Sequence, residues 1–282
     1  MNAASGGPAG VRQAIVVDEL GIAIGVHEAY RLKSAYRPLF SKEGDKLVPI
    51  GVKASTVPFT GGKQIAFADF RAGLNPADMS GVIGLCSALG LANYRHVGID
   101  GLDLWVGYHP ILNGELSPWL DETVDADDYE VLPRPRRLVC EFDASEEHRQ
   151  ALIGHGGTLR EKGFGVAIGV FGSKHLAETE FGLSGPDIVR VEAGWFAQAY
   201  QDAATARLLG TVISRLRHRG IRVLVEGIAS PGHLRVAHKC GADLFQGDYL
   251  APAALGGTVF ELEPLSIRRL LDEPYRVTRH LG

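Results

Sequence analysis

Charged and amide side chains close the apolar runs of this chain, which is where a sheet protein can most easily assemble chemistry. Glu226 follows Arg222-Val223-Leu224-Val225, and Gln246 follows Asp243-Leu244-Phe245. Glu141 lies near the end of Arg137-Leu138-Val139-Cys140-Glu141-Phe142, and Arg190 and Glu192 end Asp187-Ile188-Val189-Arg190-Val191-Glu192. Carboxylates so placed can hold a divalent cation that activates water, or they can pair with a base. A strand-end carboxylate with a cation nearby more often pairs, so Glu226 is read as the partner of Arg190. Glu141 is read as pairing with a neighbouring base, for which Lys53 is the candidate.

Other spacings offer less. Of the ten histidines, His233 and His238 lie five apart on an expected helix and do not share a face, which disfavours a metal site. Gly154-His155-Gly156-Gly157 is glycine-rich, but no strand leads into it and no Lys-Ser/Thr follows, so it is not read as a phosphate loop. Asp121 to Glu130 holds six carboxylates, a crowding of like charge expected of a solvated loop. Cys86, Cys140 and Cys240 are odd in number and stand in apolar contexts, which indicates reduced thiols rather than a disulfide framework or a zinc site.

The elements that must position these groups alternate. Residues 1–10 are small and glycine-rich and are expected to be a flexible tail, and residues 11–30 carry an apolar spacing that predicts a lead-in helix. Ala35 to Phe40 and Leu47 to Val52 read as two strands joined through Glu43-Gly44-Asp45, short enough to require antiparallel pairing. From there apolar strands alternate with helical stretches at 102–106, 137–142, 165–168, 187–192, 221–225 and 243–245. Ser230-Pro231 opens a helix that ends near Gly241. Near-continuous apolar strands separated by helices predict a parallel sheet covered on both faces, and their number favours an α/β fold closed as a (β/α) barrel. Function is then expected at the C-terminal ends of the strands.

The 282 residues, 45% hydrophobic, suffice for one large core, and the net charge of −4 with no long basic stripe argues against a nucleic-acid partner. No secretory signal is read at the N-terminus, and no window approaches the roughly 18 uninterrupted apolar residues needed to span a bilayer. A cytoplasmic location without membrane insertion is the expectation. The last stretch, 265–282, is read as a basic tail or helix carrying Arg268, Arg269, Arg276 and Arg279.

Glu226-Gly227-Ile228-Ala229 and Gln246-Gly247 resemble the EGVE and QG motifs of the EAL-domain family of cyclic-di-GMP phosphodiesterases, and weaker counterparts of the family's other motifs occur upstream in order. The resemblance spans roughly residues 30 to 255, with the barrel placed at 31–264, and implies a TIM-like (β/α)8 barrel whose first strand runs antiparallel. It also implies two divalent metals at the strand ends. Measured against the family's motifs, the metal-binding Glu of Glu-Ala-Leu has become Lys53 and the phosphate-contacting Arg has become Val57. The Asn ligand has become Gly107, and the paired aspartates have become Gly169 and Val170. Glu141 is the surviving metal position, Arg190 and Glu192 stand where the family has Lys and Asp, and Arg37 stands where it has Gln.

A cation at Lys53 opposes a hard metal ion, and one surviving carboxylate holds Mg²⁺ weakly. The resemblance therefore implies a degenerate member with no intact catalytic residues (Glu226 and Arg190 vestigial), no expected metal (Glu141 vestigial) and no expected cofactor. Mg²⁺ or Mn²⁺ enters only if the phosphodiesterase reading holds. The leading expectation is bacterial signalling through an unidentified protein partner, with a homodimer compatible. The alternatives are a receptor that binds cyclic-di-GMP through Gln246, Glu226 and Arg37 without cutting it, or, less favoured, a phosphodiesterase yielding pGpG. The loss of the Arg at Val57 counts against the receptor.

Overall fold

The computed structural model describes residues 8–108, 135–143, 146–170, 185–260 and 262–272. The acidic segment Asp121 to Glu130, most of the N-terminal tail, and Arg276 and Arg279 lie outside the described residues. The chain divides into two compact units, one of residues 1–36, 52–140 and 254–260 and the other of residues 37–51, 141–253 and 261–282.

The first unit opens with α1 (Pro8–Gln13), β1 (Ile15–Val17) and β2 (Ala23–His27), where β1 pairs antiparallel with β2. This corrects the helix expected over 11–30. Ala23, Gly25 and His27 are buried between partly buried neighbours, a period of two, and the apolar residues that suggested a helix serve a hairpin instead. β2 then pairs with the first half of β3 (Tyr30–Glu43). Later in the unit come β4 (Lys46–Thr60, its second half), β5 (Lys63–Gln64), α2 (Phe67–Ala72), α3 (Met79–Ala92), β6 (Asp103–Gly107), the start of β7 (Leu138–Phe142) and β12 (Ala254–Leu255). Leu32, Phe70, Leu85 and Leu89 form part of its core. Asn93, fully buried, returns both backbone bonds of Ala23: it accepts from the Ala23 N–H at 2.7 Å and donates to its carbonyl at 2.8 Å. A buried amide so satisfied fixes the end of α3 against β2.

The second unit takes the turn between β3 and β4 at Gly44-Asp45, the end of β7, and α4 (Glu146–Glu161), β8 (Gly165–Val170), β9 (Ile188–Val191), α5 (Ala193–Gln201), α6 (Ala203–His218), β10 (Arg222–Val225), α7 (Pro231–Lys239), β11 (Leu244–Phe245), β13 (Leu265–Ser266) and α8 (Ile267–Asp272). The Gly154-His155-Gly156-Gly157 stretch lies inside α4, so it is no loop. β8, β9, β10 and β11 are parallel in that order, with Gly169 opposite Arg190 and Arg190 opposite Leu224. Their register is pinned twice by one device. Asp187, just before β9, accepts from the Val166 N–H at 2.8 Å and meets Arg160 of α4. Asp243, just before β11, accepts from the Val223 N–H at 2.9 Å and meets Arg217 of α6. α7 begins as read from sequence, with Ser230 accepting from the His233 N–H and Pro231 in the first turn.

The strands bond in the order β1-β2-β3-β11-β10-β9-β8-β7-β6-β4-β13, and β3 also pairs with β4, so the path from β3 through β11 to β4 returns on itself through eight strands. This is the α/β barrel class expected from the alternation of strands and helices. No described helix is long and apolar enough to cross a membrane.

Candidate functional site

All the residues of this site belong to the second unit. Side chains alternate across a strand, so Arg190 and Glu192 share a face of the sheet, and the pairings of Arg190 with Gly169 and Leu224 put Gly169 and Glu226 on that same face. Glu226 follows β10 directly, and its N–H donates to the Val191 carbonyl at 3.1 Å. Glu141 reaches the same place from the end of β7.

One guanidinium serves three carboxylates there. Arg190 Nη1 donates to Glu226 Oε2 at 2.8 Å, Nη2 donates to Glu192 Oε1 at 3.0 Å, and Nε stands 3.1 Å from Glu141 Oε1 in an ion pair off the hydrogen-bond line. The four side chains are between 10% and 15% exposed. Burial lowers the Arg190 pKa, but the charges of Glu141, Glu226 and Glu192 and the hydrogen bond donated to Glu226 outweigh it, so the guanidinium is held above its ordinary range. Charges this deep are stabilised when paired and hydrogen-bonded, a condition that Arg's planar fork meets toward Glu226 and Glu192. The pairing of Glu226 with Arg190 read from sequence is present. What sequence reasoning missed is that Arg190 also reaches Glu141 and Glu192; the i, i+2 spacing of Arg190 and Glu192 on one strand was the available signal.

Gly169 explains how the guanidinium fits. A Cβ added there would stand 2.5 Å from Arg190 Nη2 and 3.0 Å from Glu192 Oε1, so the headgroup fills the room a side chain at 169 would need. Val170 follows it at the end of β8.

The remaining candidates are placed as follows. Gln246 is buried and its amide Nε2 lies 3.3 Å from the Arg37 carbonyl, to which it donates. Arg37 Nη1 bonds Asp248 Oδ1 at 2.8 Å, with about a third of the arginine side chain exposed (33%). Both lie in the second unit, and each has an internal partner. Lys53 and Val57 are half-buried on β4 and Gly107 ends β6, all in the first unit. His233 packs edge-on against Tyr200 at 4.2 Å between ring centres, and the His238 pKa is lowered by burial and by Lys42; each serves its own surroundings.

The group that the fold family implies, a pair of divalent cations, finds no cage in these residues. Among the described residues no cluster of three or more His, Cys, Asp and Glu is disposed to hold a metal ion. The carboxylates that do converge have a guanidinium between them, and a hard cation there would meet that positive charge at contact distance.

These arrangements define an α/β barrel with a buried ion-pair cluster at its parallel strand ends. The family model of the EAL domain matches residues 118–253, so the strand-end resemblance is borne out. No curated protein matches the chain. Among solved structures it is similar to YkuI of Bacillus subtilis, which has an EAL domain and was solved with substrate c-di-GMP and calcium: TM-score 0.62, 19% identity, covering 85% of this chain and 58% of that one. The chain thus spans under two thirds of the length of YkuI. It is also similar to the FimX EAL domain of Pseudomonas aeruginosa bound to c-di-GMP (TM-score 0.61, 15% identity, 79% and 90% coverage). A third similar structure is the manganese and cyclic-di-GMP complex of Klebsiella pneumoniae BlrP1 (TM-score 0.65, 18% identity, 83% and 59% coverage). At these identities the likeness is one of fold.

Proposed function

We infer that this chain is an EAL-type domain of cyclic-di-GMP signalling that does not hydrolyse the dinucleotide and acts by binding another protein. Hydrolysis by two metals needs carboxylates free to hold cations, which generate hydroxide and neutralise the phosphate in the transition state. The observation that carries the reading is Arg190, whose guanidinium is bonded to Glu192 and Glu226 and ion-paired with Glu141, in the place where such cations would be needed. The glycines at 107 and 169 and Lys53 at the remaining family positions point the same way. A scaffold kept without its chemistry retains its surface, which supports a role in association, as a homodimer or with a different protein.

The test combines two measurements on the purified chain. Cyclic-di-GMP incubated with Mg²⁺ or Mn²⁺ and separated by chromatography should give no pGpG. Calorimetric titration with cyclic-di-GMP should give no heat of tight binding. Formation of pGpG that disappears in Glu141→Ala would overturn the reading in favour of an enzyme. Tight binding without pGpG would favour a receptor.

A further inference from the structure

We propose that the outer edge of β1, in the first unit, is a self-association surface on which β1 of a second copy of this chain adds as an antiparallel strand, with the two-fold axis at Val16. The proposal rests on the association reading above, which it deepens by naming the surface and its occupant. It uses no residue of the Arg190 cluster.

The backbone gives the first argument. The Val26 N–H donates to the Ala14 carbonyl at 2.7 Å, the Asp18 N–H donates to the Ile22 carbonyl at 3.0 Å, and Val16 lies opposite Ile24 between them. Bonded and non-bonded residues alternate along an antiparallel pair, so Ala14, Val16 and Asp18 face β2 while Ile15 and Val17 turn their N–H and C=O groups away from it. Among the described residues β1 pairs with β2 alone, which leaves those groups at an open edge.

The side chains give the second. Val16, Val17 and Leu20 are 49%, 60% and 77% exposed, and Ile15 to Val17 holds no Lys or Pro of the kind that blunts an edge. Ile15 packs partly on the core of the first unit and shares its strand face with Val17, so a strand that sets Ile15 opposite Val17 extends that apolar face.

Charge selects the occupant. Arg12 precedes the strand and Asp18 and Glu19 follow it, all exposed. Antiparallel addition of an identical strand brings the basic end of each copy to the acidic end of the other, whereas parallel addition sets like charges together. With Ile15 opposite Val17 of the second copy, every outward N–H and C=O of both strands is bonded and Val16 meets its own counterpart. Such an interface is isologous and closes as a dimer. A strand of three residues pairs weakly, so the dimer is expected to dissociate on dilution.

Sedimentation velocity of the full chain over a range of concentrations tests this. The wild type should pass from monomer to dimer as concentration rises. Val17→Pro removes an N–H that faces away from β2, so it should abolish the dimer while leaving the thermal midpoint close to that of the wild type. Glu19→Lys and Arg12→Glu should each weaken the dimer a few-fold, the range of an exposed ion pair, and the two together should recover most of the loss. Val16→Cys under mild oxidation should give a covalent dimer, because directly opposed residues of a non-hydrogen-bonded pair stand within disulfide reach, and Val17→Cys should cross-link less. Should Val17→Pro not fold, the charge exchange and the Val16→Cys cross-link decide. A wild type that stays monomeric overturns the proposal and leaves the edge to a strand of a different protein. A dimer that forms no Val16→Cys cross-link and is indifferent to the charge exchange overturns it in favour of another surface. Either result leaves the non-hydrolytic reading standing, which only pGpG from the wild type removes.

Discussion

Arg190 on β9 and Glu226 just beyond β10 are joined by a 2.8 Å hydrogen bond between a guanidinium and a carboxylate that are each nearly nine-tenths buried. The pair is not an isolated bridge, because the same guanidinium also meets Glu141 and Glu192. Its removal thus disturbs a network, and the consequences differ for each member.

Truncating Glu226 leaves the guanidinium two carboxylates but removes its shortest bond. A hydrogen bond to a charged group contributes roughly 1.5 to 3 kcal/mol, and loss of one partner of a buried pair costs at the upper end of that range. Glu226→Ala should lower the urea midpoint by the equivalent of about 2 to 3 kcal/mol at unchanged slope. A midpoint equal to that of the wild type would show the bond to be unimportant to folding.

Gly247 allows no side chain. A Cβ there would fall 2.1 Å from the Ile228 carbonyl oxygen and 2.3 Å from its nitrogen, and Ile228 is itself held by bonds from its N–H to the Gln246 carbonyl and from the Tyr249 N–H to its carbonyl. Backbone on both sides cannot move aside as a side chain could. Gly247→Ala should destabilise by about 3 kcal/mol, the upper range for overpacking, read as a fall in thermal midpoint; an unaltered midpoint refutes the close approach.

Asp202 caps α6. Its carboxylate accepts from the Thr205 hydroxyl at 2.5 Å, from the Thr205 N–H at 2.7 Å and from the Ala204 N–H at 3.3 Å, and these bonds, the hydroxyl's first, hold its pKa below the ordinary aspartate value. A carboxyl whose folded pKa is depressed contributes stability above its unfolded pKa and loses that contribution as pH falls through the folded one. Asp202→Ala should therefore be less stable than wild type at neutral pH, with the difference shrinking in acid below the usual aspartate range. A difference independent of pH would assign the effect to helix propensity alone.

Cys140 is buried on β7, and burial pushes its thiol up to about 12. The thiolate is the reactive form, so the native protein should leave Cys140 unlabelled by iodoacetamide at mildly alkaline pH, while denatured protein labels it fully. Peptide mass spectrometry would detect native labelling, and its presence at Cys140 would contradict the packing described for β7.

The sequence alone determined the strands at 102–106, 137–142, 165–168, 187–192, 221–225 and 243–245, the last four of them parallel, because each is a short, near-continuous apolar run bounded by turn residues, a local pattern that burial on both faces enforces. It determined the opening of α7 at Ser230-Pro231 for the same reason, since capping is settled within four residues. It failed over 11–30, where apolar residues fit a helical spacing equally well and only pairing between β1 and β2, and between β2 and β3, selects strands. The site was half legible: the carboxylates and Arg190 were visible as strand ends, and Glu226 with Arg190 as a pair. That one guanidinium gathers Glu141, Glu192 and Glu226, and that Gly169 is the space it occupies, was decided by tertiary structure. Strand register sets which residues stand side by side, and register between strands separated by whole helices is fixed by packing that no local pattern records.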